Sequence, residues 1–222
     1  MPVTINGNGT ITGLSVGGLP DGIVDADTLA SSSVTDAKIT AVSSSKLSGA
    51  LPAISGAALT GLSSGGITEA DMWRLTSNLT GNQLPITTGN IERSDDPPYN
   101  KLGTGMSCSS GVFSFPSTGI WRVVWNATVK CSASTHSNTF TTEVTTNNGT
   151  SWDSTARTNT GVYKQTTGDS YGSTSSSCLI DVTDTSTVKV RFEYIAGQGS
   201  EILMGDDNNG LTTWEFIRLG DT

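Results

Sequence analysis

The chain has 222 residues, 34% of them hydrophobic and only 14% charged, with a formal net charge of −8. Little charge and abundant Gly, Ser, Thr and Asn suit strands and turns and disfavour helical bundles. The acidity repels a phosphate backbone, so nucleic-acid binding is not expected, and no basic run exists to hold an anionic membrane.

"MPVTINGNGT" has no basic segment leading into an apolar run, so no signal peptide is expected. No later stretch has the length of a membrane span. Residues 1–66 repeat loosely in two units. The first is V-x4-[LI], as "VDADTL" (24–29), "VTDAKI" (34–39) and "VSSSKL" (42–47). The second is a glycine-spaced aliphatic pair, as "ITGL" (11–14), "ISGAAL" (54–59) and "LTGL" (59–62). The five tryptophans, four tyrosines and five phenylalanines all lie after residue 72. Small aliphatics scattered among Gly and Ser give one chain too little area to offset backbone ordering, which costs about 1–2 kcal/mol per residue. The expectation is a shaft over 1–66 in which several copies bury these side chains together.

Residues 67–83 change character. Thr68 with Asp71 reads as a capping box, and Met72, Leu75 and Leu79 fall on one helical stripe. The spacing predicts a short helical neck, with the helix over 68–77.

From 84 to 222 the period becomes two. Trp121, Val123, Trp125, Ala127, Val129 and Cys131 share one face of "WRVVWNATVKC", and Val188, Val190, Phe192 and Tyr194 share one face of "VKVRFEY". Phe140 aligns with Val144, and Trp214 with Phe216. Turn signals stand between them at 147–149, 166–169, 183–186 and 206–210. The pattern is that of a mainly β, antiparallel sandwich or jelly roll. Trp121, Trp125, Phe192, Trp214 and Phe216 form its expected core, to which the likeness of 111–125 to a known signature adds Phe113.

Catalytic signals are weak, and no enzyme is expected. His136 is the only histidine, in "SASTHSN", read as a turn. Cys108, Cys131 and Cys178 lack CxxC spacing, so idle thiols are expected rather than a zinc site or disulfide framework. Asp153, Asp181, Glu193 and Glu201 offer carboxylate pairs, as any acidic β protein does. "GDDNNG" (205–210) fails the EF-hand register, because Gly205 and Phe216 stand at its first and last ligand positions. Neither a cofactor nor a metal is expected. Loops on a rigid sandwich are the better candidates for function. Alternation places loops 132–138, 165–173 and 197–210 at one end, carrying His136, Tyr171, Asp206 and Asp207 as candidate receptor contacts.

"GVFSFPSTGIWRVVW" (111–125) resembles the core signature of C1q-like domains, with Phe113, Gly119, Trp121 and Trp125 at the family's positions and Val123 in place of a phenylalanine. "WEFIRL" (214–219) resembles that family's last strand. The resemblance implies a ten-stranded C1q/TNF-like head that forms a homotrimer, with both termini at the stalk end and the loops named above at the distal tip. "GITEADMWRLT", "GVFSFPSTGIW" and "DVTDTSTVKVRF" resemble tail-fibre proteins of marine bacteriophages, cyanophages above all. That resemblance implies a virion fibre, in tail or baseplate, that attaches to a bacterial surface glycan or protein. Its N-terminus would join other virion proteins. The alternatives are a capsid decoration or spike without a specific receptor, and a bacterial C1q-like adhesin.

Overall fold

The computed structural model describes residues 66–87, 90–95 and 97–222, with 4–5, 7, 11–12, 31, 34–35 and 39 upstream; the side chains of 135 and 136 are outside the description. The chain divides into two compact units, Met1–Gly61 and Leu62–Thr222. In the first, β1 (Thr4–Ile5) pairs antiparallel with β2 (Ile11–Thr12), Ile5 opposite Ile11. The expected shaft otherwise lies outside the described residues.

The second unit is a two-sheet antiparallel sandwich. Its strands are β3 (Ala70–Leu75), β4 (Leu79–Thr80), β5 (Ile91–Arg93), β6 (Ser107–Ser109), β7 (Val112–Ser114), β8 (Gly119–Cys131), β9 (Thr135–Thr145), β10 (Asp153–Val162), β11 (Ser170–Val182), β12 (Lys189–Ile195), β13 (Ile202–Leu203) and β14 (Thr213–Gly220). One sheet has five strands in the order β10-β9-β12-β7-β6. The other has seven, in the order β4-β13-β8-β14-β3-β5, with β11 also paired to β8. The C1q/TNF resemblance implied ten strands in all. The two-residue strands β4 and β13 are short extra pairings beside the long β8.

The helical neck is corrected to a strand. Six residues are too few for the Met72–Leu75 spacing to establish a helix, and the partner strand decides the conformation. Ala70–Leu75 supplies a partner for β14, with Trp73 opposite Trp214. Asp71 does not cap a helix. It is buried, accepts bonds from Trp73 Nε1 at 2.9 Å and Met106 N at 2.8 Å, and pairs with Arg93 at 3.0 Å. The head's sheet therefore begins before residue 84.

The core follows the alternation. Phe113, Trp121, Trp125, Phe192, Trp214 and Phe216 are all buried. Phe113 sits at the centre, its ring centroid 5.3 Å from Trp73, 5.7 Å from Phe192 and 5.0 Å from Phe216. The ring reaches that position through a two-residue hairpin, Ser110 (φ 51) and Gly111 (φ 77), between β6 and β7. A Cβ on Gly111 would meet the Ile86 carbonyl oxygen at 1.9 Å, so only glycine fits there. The three cysteines are unpaired, Cys131 buried and the other two half-buried.

Candidate functional site

Strand register sorts the loops as alternation predicts. Ala70 lies opposite Ile217, and Gly119 lies opposite Val182, so one end of the sandwich holds the head's first and last strand ends. The far end holds the turns at 132–134, 163–169, 196–201 and 204–212.

Polar side chains, two of them buried, stitch those turns together. Asn138 is fully buried; its Oδ1 accepts from the Tyr194 hydroxyl at 3.0 Å and from Gly197 N at 3.3 Å. Burial raises the Tyr194 pKa, which keeps that hydroxyl a donor. Glu201, 3% exposed, accepts from Gln198 N at 3.0 Å and from Ser200 N at 3.2 Å. Ser134 ties two turns together, its hydroxyl accepting from Lys164 N at 2.8 Å and its carbonyl from the Gln198 side-chain amide.

The predicted contact residues divide. Asp206 and Asp207 lie in the 204–212 turn. Asp206 Oδ1 accepts from Asn208 N and Asn209 N, both at 2.8 Å, and these bonds hold its carboxyl below the usual carboxylate range. Asp207 accepts from the Asn208 amide at 2.7 Å. Tyr171 is not in a loop. It is the second residue of β11, opposite Lys130, with its ring 58% exposed. His136 is likewise in β9, not in a turn, since the chain re-enters the sheet at Thr135. The β8–β9 and β10–β11 connections are thus shorter than expected. Sequence reading missed Tyr163, which is 83% exposed just beyond β10, and the Lys130–Asp169 ion pair at 2.9 Å. An aromatic at the mouth of the polar turn "KQTTGD" is the signal for the first. The pair joins β8 to the turn before β11, which only the register reveals.

Chemically, this end offers phenol rings, amides and carboxylates for stacking and hydrogen bonding. Among the described residues, no group of three or more His, Cys, Asp and Glu side chains is placed to hold a metal. Burial pushes the Cys108 thiol up to about 11 and raises Cys131 and Cys178 too, so these thiols stay protonated at neutral pH.

No protein-family model and no curated protein sequence matches the chain. Among solved structures it is similar to Eiger TNF from S. frugiperda, with 12% identity and a TM-score of 0.50 over 69% of this chain and 93% of that one. Murine APRIL at pH 5.0 matches with 10% identity and a TM-score of 0.48 over 68% of this chain and 98% of that one. At such identity the likeness to Eiger concerns the fold: the head is a TNF-like jelly roll.

Proposed function

We propose that this chain is the subunit of a trimeric virion fibre that attaches a bacteriophage to a bacterial surface, through the far-end turns of its head. The observation that carries the reading is the outward face of the seven-stranded sheet. Two cross-strand rows there run Leu179–Arg122–Ile217–Ala70 and Ser177–Val124–Glu215–Met72. Leu179 is 62% exposed, and Leu219 beside them is 51% exposed. Exposed leucines beside the half-buried Ile217 and Met72 on one sheet face offer a surface for association. Trp214 and Phe216 point the other way, into the subunit's own core, so the contacts between copies fall to the aliphatics of these rows. The V-x4-[LI] unit supports the same reading, since Val34 and Ile39 are 52% and 43% exposed. The resemblance to phage tail fibres supplies the virion setting. Self-association then displays each far-end turn several times on one particle, which raises avidity for a weakly bound surface glycan.

The test is adsorption of the full chain to candidate host cells. Replacing Tyr171, Asp206 and Asp207 together by Ala is expected to weaken cell binding at least tenfold while leaving the oligomer intact. Undiminished adsorption contradicts the assignment of the contact surface.

A further inference from the structure

A groove of about 290 Å³ lies on the outer face of the five-stranded sheet, at the opposite end from the turns discussed above. Its floor is made by outward residues of β6, β7 and β12. Ser109 stands opposite Val112, and Lys189 stands opposite Ser114. Its wall is the β9–β10 turn, which contributes Asn148, Gly149 and Trp152.

That wall is pre-shaped. Thr145, 1% exposed, donates through its hydroxyl to Asn147 Oδ1 at 2.8 Å and accepts from Gly149 N at 2.9 Å. Asn147 in turn accepts from Ser151 N at 2.9 Å and donates to the Ser151 hydroxyl at 2.8 Å. Asn148 N donates to the Thr187 carbonyl at 3.0 Å. Asn148 and Gly149 take left-handed φ values of 56 and 88, which asparagine and glycine tolerate best. The Trp152 ring lies over the Arg191 guanidinium, 4.3 Å from its centroid, and Arg191 is anchored to Glu143 at 2.7 Å. A site held this firmly loses little entropy when a ligand arrives.

What the groove offers is a set of uncommitted polar groups. Among the described residues, the hydroxyls of Ser109 and Ser114, the Asn148 amide, Trp152 Nε1 and the Lys189 ammonium have no protein partner. Lys189 is the only charged lining residue. The volume is at the low end for small-molecule sites, which suits one ring-sized unit rather than a peptide or nucleotide. Val112 and the indole supply apolar surface for the C–H face of a ring, and the amide and hydroxyls suit its hydroxyl groups. One unpaired cation suits one carboxylate.

We propose that this groove binds one residue of an acidic, carboxylate-bearing saccharide, with Lys189 on the carboxylate and Trp152, Asn148 and the two serines on the ring and its hydroxyls. The site is independent of the far-end turns and of the virion setting.

The test titrates the full chain with an oligogalacturonate trisaccharide, and with the neutral galactose trisaccharide as control, by saturation-transfer NMR. Saturable binding of the acidic probe is expected, at least tenfold weaker in Lys189→Gln and in Trp152→Leu. The Tyr171, Asp206 and Asp207 triple variant should bind as the unaltered chain does. The neutral probe should bind at least tenfold more weakly. Circular dichroism and melting check that both groove variants fold. Absence of binding, equal binding by both folded groove variants, or equal affinity for the neutral probe overturns the proposal.

Discussion

The two outer faces of the sandwich are built from strands of similar length, yet they solve solvent exposure differently. The five-stranded sheet neutralises its surface within the subunit. Arg191 is tied to Glu143 at 2.7 Å and to Glu193 at 3.4 Å, and Arg157 reaches the Thr141 hydroxyl at 3.4 Å. The seven-stranded sheet pairs Arg74 with Glu92 at 2.6 Å near one edge, but places Leu179, Ile217 and Met72 on rows where its own chain supplies only Arg122 and Glu215 as charges. A charge ladder is complete in one copy, whereas an aliphatic row gains only when covered. Under the proposed function, the difference separates a face left to solvent and small ligands from one that joins another copy.

Both faces depend on one shared core, and the largest effect is expected from breaking it. Phe113→Ala removes the ring that touches aromatics of both sheets and should cost about 3–5 kcal/mol, read as a shift in the denaturant midpoint. A loss below 1 kcal/mol would mean that the sheets do not share this centre. A smaller effect tests the solvated face alone. Arg191→Ala leaves Glu143 and Glu193 facing each other and frees Trp152. It should cost about 1 kcal/mol, less at high salt, without changing the oligomeric state. A change in sedimentation would show that this face, too, is an interface.

The smallest effect is a pH dependence at the far end. Asp206 is held below the usual carboxylate range by the Asn208 and Asn209 amides. Its contribution to the turn is therefore fully present above the unfolded carboxylate pKa, about 4, and is lost as pH falls through the lowered folded value. Amide exchange at Asn208 and Asn209 should accelerate between pH 4 and the acid limit (after correction for intrinsic rates), and Asp206→Asn should flatten that profile. Identical profiles would remove Asp206 from the turn's energetics.

How far the sequence is readable varies along the chain with the length of each pattern. β8 and β12 alternate along their lengths, so Trp121, Trp125 and Phe192 follow directly from period two, as Trp214 and Phe216 do in β14, whereas Phe113 is legible only through the resemblance of 111–125 to a C1q-like signature. "ADMWRL" is one short strand whose residues also fit a helical stripe, and only pairing with β14 decides between them. The ends of β9 and β11, strands of 11 and 13 residues, are misplaced for another reason. "STHSN" and "DSYGS" carry turn-forming residues that the sheet nevertheless absorbs, because Thr135 pairs with Val162 and Tyr171 with Lys130. The aliphatics of the proposed associating face are visible in the sequence as residues but not as a surface. Ile217 and Leu179 come together only across β8, at Arg122, through pairings that no local pattern encodes.

Whether the seven-stranded face joins copies of the chain is decided by sedimentation equilibrium on the full chain and on a Leu179→Asp, Ile217→Asp double variant. A species of three times the 23.0 kDa chain mass is expected for the unaltered protein, and a shift toward smaller species, with the fold retained, for the variant. A monomer in the unaltered protein, or an unshifted trimer in the variant, would contradict that expectation.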